Sequence, residues 1–442
     1  MFEISENKKL VEKAYLVGIR WGRGSLAEAT DHLEELAQLA DTMGVPVAGR
    51  QIVSLAHPRP ALLIGSGKCE EIVAECKRLG VDCLIFDDDL SPAQQRNWEK
   101  LSDICVIDRR EVILDIFAQR AHTQEARLQV RLARLEYSLP RLRRAWTHLE
   151  RQRGGAGLRG GAGELQLEVD QRLVTNQIAV IKRQLARVRK RRAVQRQERR
   201  ANAIPNAAIV GYTNAGKSSL LNALTGADVP CEDKLFATLD PTTRRVALPD
   251  RREALVTDTV GFIRKLPHDL VESFKATLEE TRLADVLIHV VDASHPNADQ
   301  QIAATNVVLK EIGADGKPTI LALNKMDLLA DRAETLSLLA LGPQGDAAER
   351  TVSLSAKTGE GIETLLAALA SLCARDVEML IIEAPASRYD LVALARREGD
   401  VKFEGYLDGS VWLEADMPPR LKARLAPYLR PALPEALQTV VR

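Results

Sequence analysis

Apolar residues in the first 120 positions fall into short unbroken runs: Ala14-Tyr-Leu-Val-Gly-Ile19, Ala61-Leu-Leu-Ile64, Cys83-Leu-Ile-Phe86 and Ile104-Cys-Val-Ile107, with amphipathic stretches such as Leu26 to Met43 between them. Short apolar runs alternating with helical patterns predict a small parallel sheet covered by helices, forming a body separate from the rest of the chain. The period then changes. Leu128, Leu132, Leu135, Leu139, Leu142, Trp146 and Leu149 step by four and three, and Val174, Ile178, Ile181, Leu185 and Val188 repeat the spacing, which is the seam of a coiled coil. Between the two runs, Gly154 to Gly163 holds six glycines in ten residues, a composition no helix interior tolerates well. The pattern predicts an antiparallel helical hairpin over 124–200 with a flexible glycine-rich tip, its first arm kinked at Pro140. Four later runs, Ala207-Ala-Ile-Val210, Ala254-Leu-Val-Thr257, Thr319-Ile-Leu-Ala-Leu323 and Thr351-Val-Ser-Leu354, predict a second, mostly parallel sheet with helices on both faces. After Val377, strands are expected at Met379-Leu-Ile-Ile382 and Val411-Trp-Leu413, with a helix from Leu421 to Leu429. The expected fold class is therefore α/β, divided at 1–123, 124–200, 201–375 and a small α+β unit at 376–442.

Chemistry-bearing residues stand at the ends of the later strands. Gly211, Tyr212, Thr213, Asn214, Ala215, Gly216, Lys217 and Ser218 fit the GxxxxGK[ST] phosphate loop, and Ser219 continues it into the next helix. Glycines let the backbone curl until successive N–H groups face phosphate oxygens, and the following helix adds the positive end of its dipole. Lys217 is expected to neutralise the β- and γ-phosphates and Ser218 to hold Mg²⁺. Asp258, Thr259, Val260 and Gly261 close the next strand, offering a carboxylate to the Mg²⁺ water shell and a glycine N–H to the γ-phosphate. Phe236, Ala237, Thr238, Leu239 and Asp240 lie between the two motifs, with Thr238 as the switch residue that closes on Mg²⁺ when the γ-phosphate is present. Lys217, Thr238 and Gly261 are thus the candidate catalytic residues, and Ser218 and Thr238 the candidate metal ligands.

The base is chosen downstream. Asn324, Lys325, Met326 and Asp327 follow a buried-strand pattern, and a carboxylate there accepts two N–H bonds from guanine, a donor pair that adenine lacks. Ser355, Ala356 and Lys357 complete the base pocket. These motifs predict GTP and GDP as ligands and in-line attack of water on the γ-phosphate. Phe262 occupies the position after Gly261 where many signalling GTPases carry a water-orienting glutamine, so intrinsic turnover is expected to be slow.

Charge assigns the hairpin a purpose. The chain of 442 residues balances 61 basic against 61 acidic residues, so nucleic-acid affinity has to come from local clusters. Lys182 to Arg200 holds ten Lys or Arg residues against the single acid Glu198, and Arg141, Arg143, Arg144, Arg151, Arg153 and Arg159 load the other arm and the tip. Basic arms and tip together read as a footprint for RNA phosphate more than as a solvated helix face. The six cysteines show no CxxC spacing and the histidines no HxxxH pattern, which argues against a zinc site or a disulfide framework. No apolar run approaches membrane-spanning length and the first residues lack a signal-peptide core, so the expected location is the cytosol.

The chain resembles the HflX family of translational GTPases. The likeness is carried by Gly65-Ser-Gly-Lys68 with Glu70-Glu71-Ile72, Asp115-Ile-Phe-Ala-Gln-Arg120, Glu125-Ala-Arg-Leu-Gln129, Leu139-Pro-Arg-Leu142 and the glycine-rich tip through Gly163-Glu164. That resemblance implies a P-loop GTPase that binds the large ribosomal subunit and splits stalled or stressed ribosomes, its tip reaching toward the peptidyl-transferase region. It implies a monomer, cytoplasmic with some membrane association. A regulator or subunit-assembly factor using GTP mainly as a ligand is the alternative. Family members are also reported to bind ATP through the N-terminal part. Gly65 to Lys68 reads instead as a structural turn, since a phosphate loop would need glycine at Leu62 and Ser or Thr at Cys69. Asn214 matches an asparagine that helps hold K⁺ in potassium-activated GTPases; a purely conformational role for it stays open.

Overall fold

The computed structural model describes residues 11–22, 24–145, 162–201, 204–226, 234–250, 252–265, 275–329, 348–373, 378–417 and 419–438. The chain forms two compact units: the first takes in residues up to Ala247 and Glu253–Leu365, the second Leu248–Arg252 and Leu366–Arg442. The first unit begins with β1 (Ala14–Trp21), α1 (Leu26–Met43), β2 (Val47–Leu55), α2 (Ser66–Leu79), β3 (Cys83–Phe86), α3 (Pro92–Ser102), β4 (Cys105–Asp108) and α4 (Arg109–Arg120). The four strands are parallel in the order β2-β1-β3-β4. Local signals set the helix ends. Gly44 stops α1 in the left-handed conformation at φ 85°, Ser91 and Gln94 form a capping box on α3, and the Asp108 carboxylate accepts the Glu111 N–H to start α4.

One expected strand is not there. Ala61 to Ile64 is a turn: Leu63 adopts a left-handed φ of 66° and closes a bridge with Arg59. Pro58 and Pro60 remove ladder donors just before it, and Leu63 and Ile64 are buried as turn residues packed on the core. The fourth strand is β2, whose sequence VAGRQIVSL hides in the pattern because an edge strand is only half covered. Gly65 to Lys68 opens α2 directly after that turn, with Lys68 paired to Glu71.

The hairpin comes next as α5 (Gln124–Ala145) and α6 (Ala162–Ala201). Leu132, Leu135, Ile181 and Leu185 form its buried seam, flanked by Leu128, Val174 and Ile178, as the heptad spacing required. Two details of the helices are notable. Helix α5 runs on through Pro140 to Ala145, and Gly163 lies inside the first turn of α6 rather than in the tip. Arg141 braces the end of α5: its guanidinium lies 3.4 Å from the Tyr137 ring centroid, donates to Gln95 and to the Leu90 carbonyl, and pairs with Asp108 at 3.3 Å. It is a structural tie, not a free phosphate contact. Trp146, Leu149, Arg151, Arg153, Arg159 and the glycine run 154–161 lie outside the described residues, as do the side chains of Leu142, Arg143, Arg144, Arg189 and residues 191–200.

The nucleotide-binding part comprises β5 (Asn206–Gly211), α7 (Lys217–Thr225), β6 (Thr242–Ala247), β7 (Glu253–Asp258), α8 (Lys275–Leu283), β8 (Val286–Asp292), α9 (Ala298–Glu311), β9 (Thr319–Asn324), β10 (Ala348–Ser353) and α10 (Ile362–Cys373). The sheet order is β10-β9-β8-β5-β7-β6, parallel except for the antiparallel edge strand β6. Gly211 has to be glycine: its φ is 146° and an added Cβ would lie 2.2 Å from the Val290 carbonyl oxygen. This part shares a core with the N-terminal sheet. Tyr212, Leu235, Phe236, Leu239, Val260 and Ile263 pack in one cluster with Leu16, Leu36, Ile113 and Phe117, so the N-terminal sheet packs directly against the site.

The second unit holds β11 (Glu378–Pro385), α11 (Tyr389–Glu398), β12 (Asp400–Leu407), β13 (Ser410–Met417), α12 (Pro419–Leu425), β14 (Leu429–Arg430) and α13 (Glu435–Gln438). Its antiparallel sheet, ordered β12-β13-β11-β14, buries Leu380, Ile382, Leu413 and Ala415 against Leu391, Val392 and Leu425. The helix expected to reach Leu429 stops at Leu425, and Leu429 joins the sheet after Pro427. Among the described residues no helix is long and apolar enough to cross a membrane.

His289 on β8 is buried, with Nε2 lacking a partner. Burial first, and the charge of Lys217 second, hold its pKa down at about 4 against an ordinary 6.5. Between those values the unfolded chain takes up a proton that the folded chain refuses. Stability is therefore complete above about pH 6.5 and falls toward pH 4, by on the order of 3 kcal/mol from this group. Urea midpoints of wild type and His289→Leu at pH 7.5 and pH 5 check this. The variant's loss on acidification should be clearly smaller; an identical loss assigns the effect to other groups.

Candidate guanine-nucleotide site

Strand β5 delivers the chain into the loop Gly211–Gly216, and α7 begins at Lys217, so the loop's N–H groups and the helix N-terminus face one cleft. Asn214 and Gly216 take left-handed conformations, at φ 61° and 92°, that produce the curl. Thr213, Asn214, Gly216, Lys217, Ser218 and Ser219 line the cleft on one side. Phe236, Ala237, Thr238, Thr259 and Gly261 line the other. The Lys217 ammonium is buried and donates to the Tyr212 carbonyl at 2.7 Å. Burial pushes its pKa down to about 8, partly opposed by Asp258. A buried lysine that, among the described residues, donates to a carbonyl is a cation built to meet an anion.

Ser218, Thr238 and Asp258 converge from three elements. The Ser218 hydroxyl donates to Asp258 at 2.7 Å and lies 2.7 Å from the Thr238 hydroxyl. Asp258 is 1% exposed, its Oδ1 has no hydrogen-bond partner, and burial raises its pKa above the ordinary carboxylate value. Two hydroxyls and an orphaned buried carboxylate oxygen at a phosphate loop fit Mg²⁺, an oxygen-seeking cation. Among the described residues no His/Cys/Asp/Glu cluster forms a metal site by itself, so the phosphates have to supply further oxygens.

The base-reading loops are tied to the phosphate loop by one side chain. Asn324 donates to the Ala215 carbonyl at 2.8 Å and accepts the Ala356 N–H at 2.9 Å. Asp327 accepts the Ser355 hydroxyl at 2.7 Å, which holds its carboxyl below the ordinary value and ionised. Lys325 stands at a left-handed φ of 65° and pairs with Asp292 at 2.7 Å, Met326 is buried below the loop, and Lys357 is exposed at its edge.

Several sequence-derived assignments change character. Leu239 and Val260 are core residues of the shared cluster and could reach a nucleotide only through their backbone. Asp240, expected in the nucleotide pocket, turns its carboxylate to the backbone N–H groups of His122 and Thr123. Phe262 is 1% exposed and its backbone pairs with Gly211 and Thr213, so its ring sits in the core and orients no water. The pattern missed Lys234, which lines the cleft, and a buried chain of charges behind it. Tyr212 donates to Glu35, Glu35 and Asp87 grip the fully buried Arg109, and Lys265 pairs with Asp87 at 2.6 Å. Nothing local in the sequence marks these residues, because they meet only when the N-terminal sheet docks.

A phosphate loop bonded through Asn324 to the loop that carries Asp327 is the arrangement of a P-loop GTPase. Three family models cover most of the chain: GTP-binding GTPase N-terminal over residues 30–118, GTP-binding GTPase Middle Region over 120–199, and 50S ribosome-binding GTPase over 206–325. The chain belongs to the HflX family of GTPases. It is 46% identical over 436 residues to GTPase HflX of Akkermansia muciniphila, covering 97% of this chain and 99% of that protein. It is 44% identical over 418 residues to the Escherichia coli K12 GTPase HflX, covering 92% and 94%.

Proposed function

We propose that this GTPase binds Mg²⁺ with its nucleotide, hydrolyses GTP slowly when alone, and uses its GTP state to attach to and leave the large ribosomal subunit, dissociating stalled or stressed ribosomes. The convergence of Thr238, Ser218 and Asp258 carries the nucleotide half of this reading: the Thr238 hydroxyl lies 2.7 Å from that of Ser218, which donates to Asp258, within reach of one shared cation. Ser218, Thr238 and Asp258 would hold Mg²⁺, which when bound offsets phosphate charge. Lys217 and the loop N–H groups absorb charge as the γ-phosphate leaves, and Gly261 lines the same cleft. With Phe262 in the core, the group that orients water comes from elsewhere, and the bound subunit is the candidate. The description of the family model matched over 206–325, 50S ribosome-binding GTPase, supports that partner, as does the exposed basic series Lys182, Arg183, Arg187 and Lys190 on α6.

Purified large subunits are expected to raise multiple-turnover GTPase rates at least tenfold. Co-sedimentation should need GTP or a non-hydrolysable analogue and weaken steeply with salt, as phosphate contacts require. Equal rates with and without subunits would refute the ribosomal half. Potassium at Asn214 is tested separately by turnover in KCl against NaCl, with Asn214→Ala as control.

A further inference from the structure

Thr238 is gripped on both sides by the N-terminal part of the chain. Two residues before it, Phe236 takes a left-handed φ of 55° and meets Phe117 of α4 edge-on, ring centroids 4.7 Å apart. Two residues after it, the Asp240 carboxylate accepts the backbone N–H groups of His122 and Thr123, each at 3.0 Å, together with the Thr123 hydroxyl proton. Thr123 is itself the cap of α5, its hydroxyl oxygen accepting the Ala126 N–H at 3.1 Å. The first arm of the hairpin therefore starts on a side chain that belongs to the switch segment.

We propose that Asp240 is a positioning residue that couples closure of Thr238 to the hairpin: it holds the start of α5 while Thr238 stands at Ser218, and lets go when Thr238 withdraws. Both contacts coexist in the structure, with the Thr238 and Ser218 hydroxyls 2.7 Å apart. Two residues of chain span at most about 7 Å, so a switch that swings away takes the Asp240 carboxylate with it. The His122 and Thr123 N–H groups are then left without their acceptor, and the positive end of α5 loses its anion. The cap consequently favours the closed switch. By linkage, whatever holds α5 in its capped position favours the triphosphate state by the same factor. The coupling rests on the reading that GTP, and not GDP, closes Thr238.

Affinities of the full chain for GDP and for a non-hydrolysable GTP analogue, both with Mg²⁺, test it in Asp240→Ala, Asp240→Asn and Thr123→Val. GDP affinity should stay within twofold throughout. The analogue should bind about fivefold more weakly in Asp240→Ala and Thr123→Val, the ratio one helix cap is worth, and within twofold of wild type in Asp240→Asn, whose amide still accepts the N–H bonds. Equal shifts for both nucleotides, or an unchanged analogue affinity in Asp240→Ala, overturn the coupling. Absence of GDP binding in the wild type would instead sink the nucleotide-site assignment beneath it.

Discussion

Lys217→Ala is expected to weaken GTP and GDP binding by about two to four orders of magnitude while leaving the nucleotide-free protein folded. The ammonium is buried and, among the described residues, is offered a carbonyl and, at longer range, Asp258, so its attraction for an anion is largely unanswered until phosphate arrives. Breaking a buried charge pair by removing one partner costs about 3–5 kcal/mol, which sets the expected loss. The free protein behaves differently. Burial already disfavours the charged lysine, so its removal should leave the thermal midpoint unchanged or slightly raised. Titration calorimetry with Mg-GDP, alongside unfolding of the free protein, measures both. Affinity within tenfold of wild type would show that phosphate is held elsewhere.

Asp327→Asn is expected to cost GTP about two orders of magnitude and to admit xanthosine triphosphate in its place. Asp327 is ionised and fixed by Ser355, so it presents acceptors to guanine's N1–H and N2–H₂ donors. An amide puts a donor against a donor at one of those contacts, forfeiting a charge-assisted bond worth about 1.5–3 kcal/mol and leaving a polar group unpaired. Xanthine carries a carbonyl at that position, which accepts from the same amide. Competition of GTP and XTP against a fluorescent GDP analogue reads the reversal directly. If the asparagine variant still prefers GTP by more than tenfold, the base is read by another group.

Strands buried on both faces were legible as continuous apolar runs, which is why β1, β3, β5, β7 and β9 stand where the pattern put them. Edge strand β2 was not, because among its nine residues only Val53 is buried and polar or small residues break the run, and the apolar quartet at Ala61 forms a turn because proline and a left-handed Leu63 prevent a strand. The hairpin seam was legible because a heptad spacing has few other uses. Its charges were less so: Arg141 reads as another free cation until Tyr137, Gln95 and Asp108 surround it.

The candidate pocket was legible in the sequence alone, since the phosphate loop, Asp258 and Asp327 stand at or just after strand ends and Thr238 stands in a short run before β6, each a local motif of a few adjacent residues. Where the switch is anchored was decided by tertiary structure. Asp240 and Thr123 are 117 positions apart, and Tyr212 and Glu35 177 apart, and no local period reports a contact between groups that separated. Burial of Leu235, Phe236 and Leu239 in the N-terminal core brings them together, a packing outcome that depends on two sheets closing around one cluster.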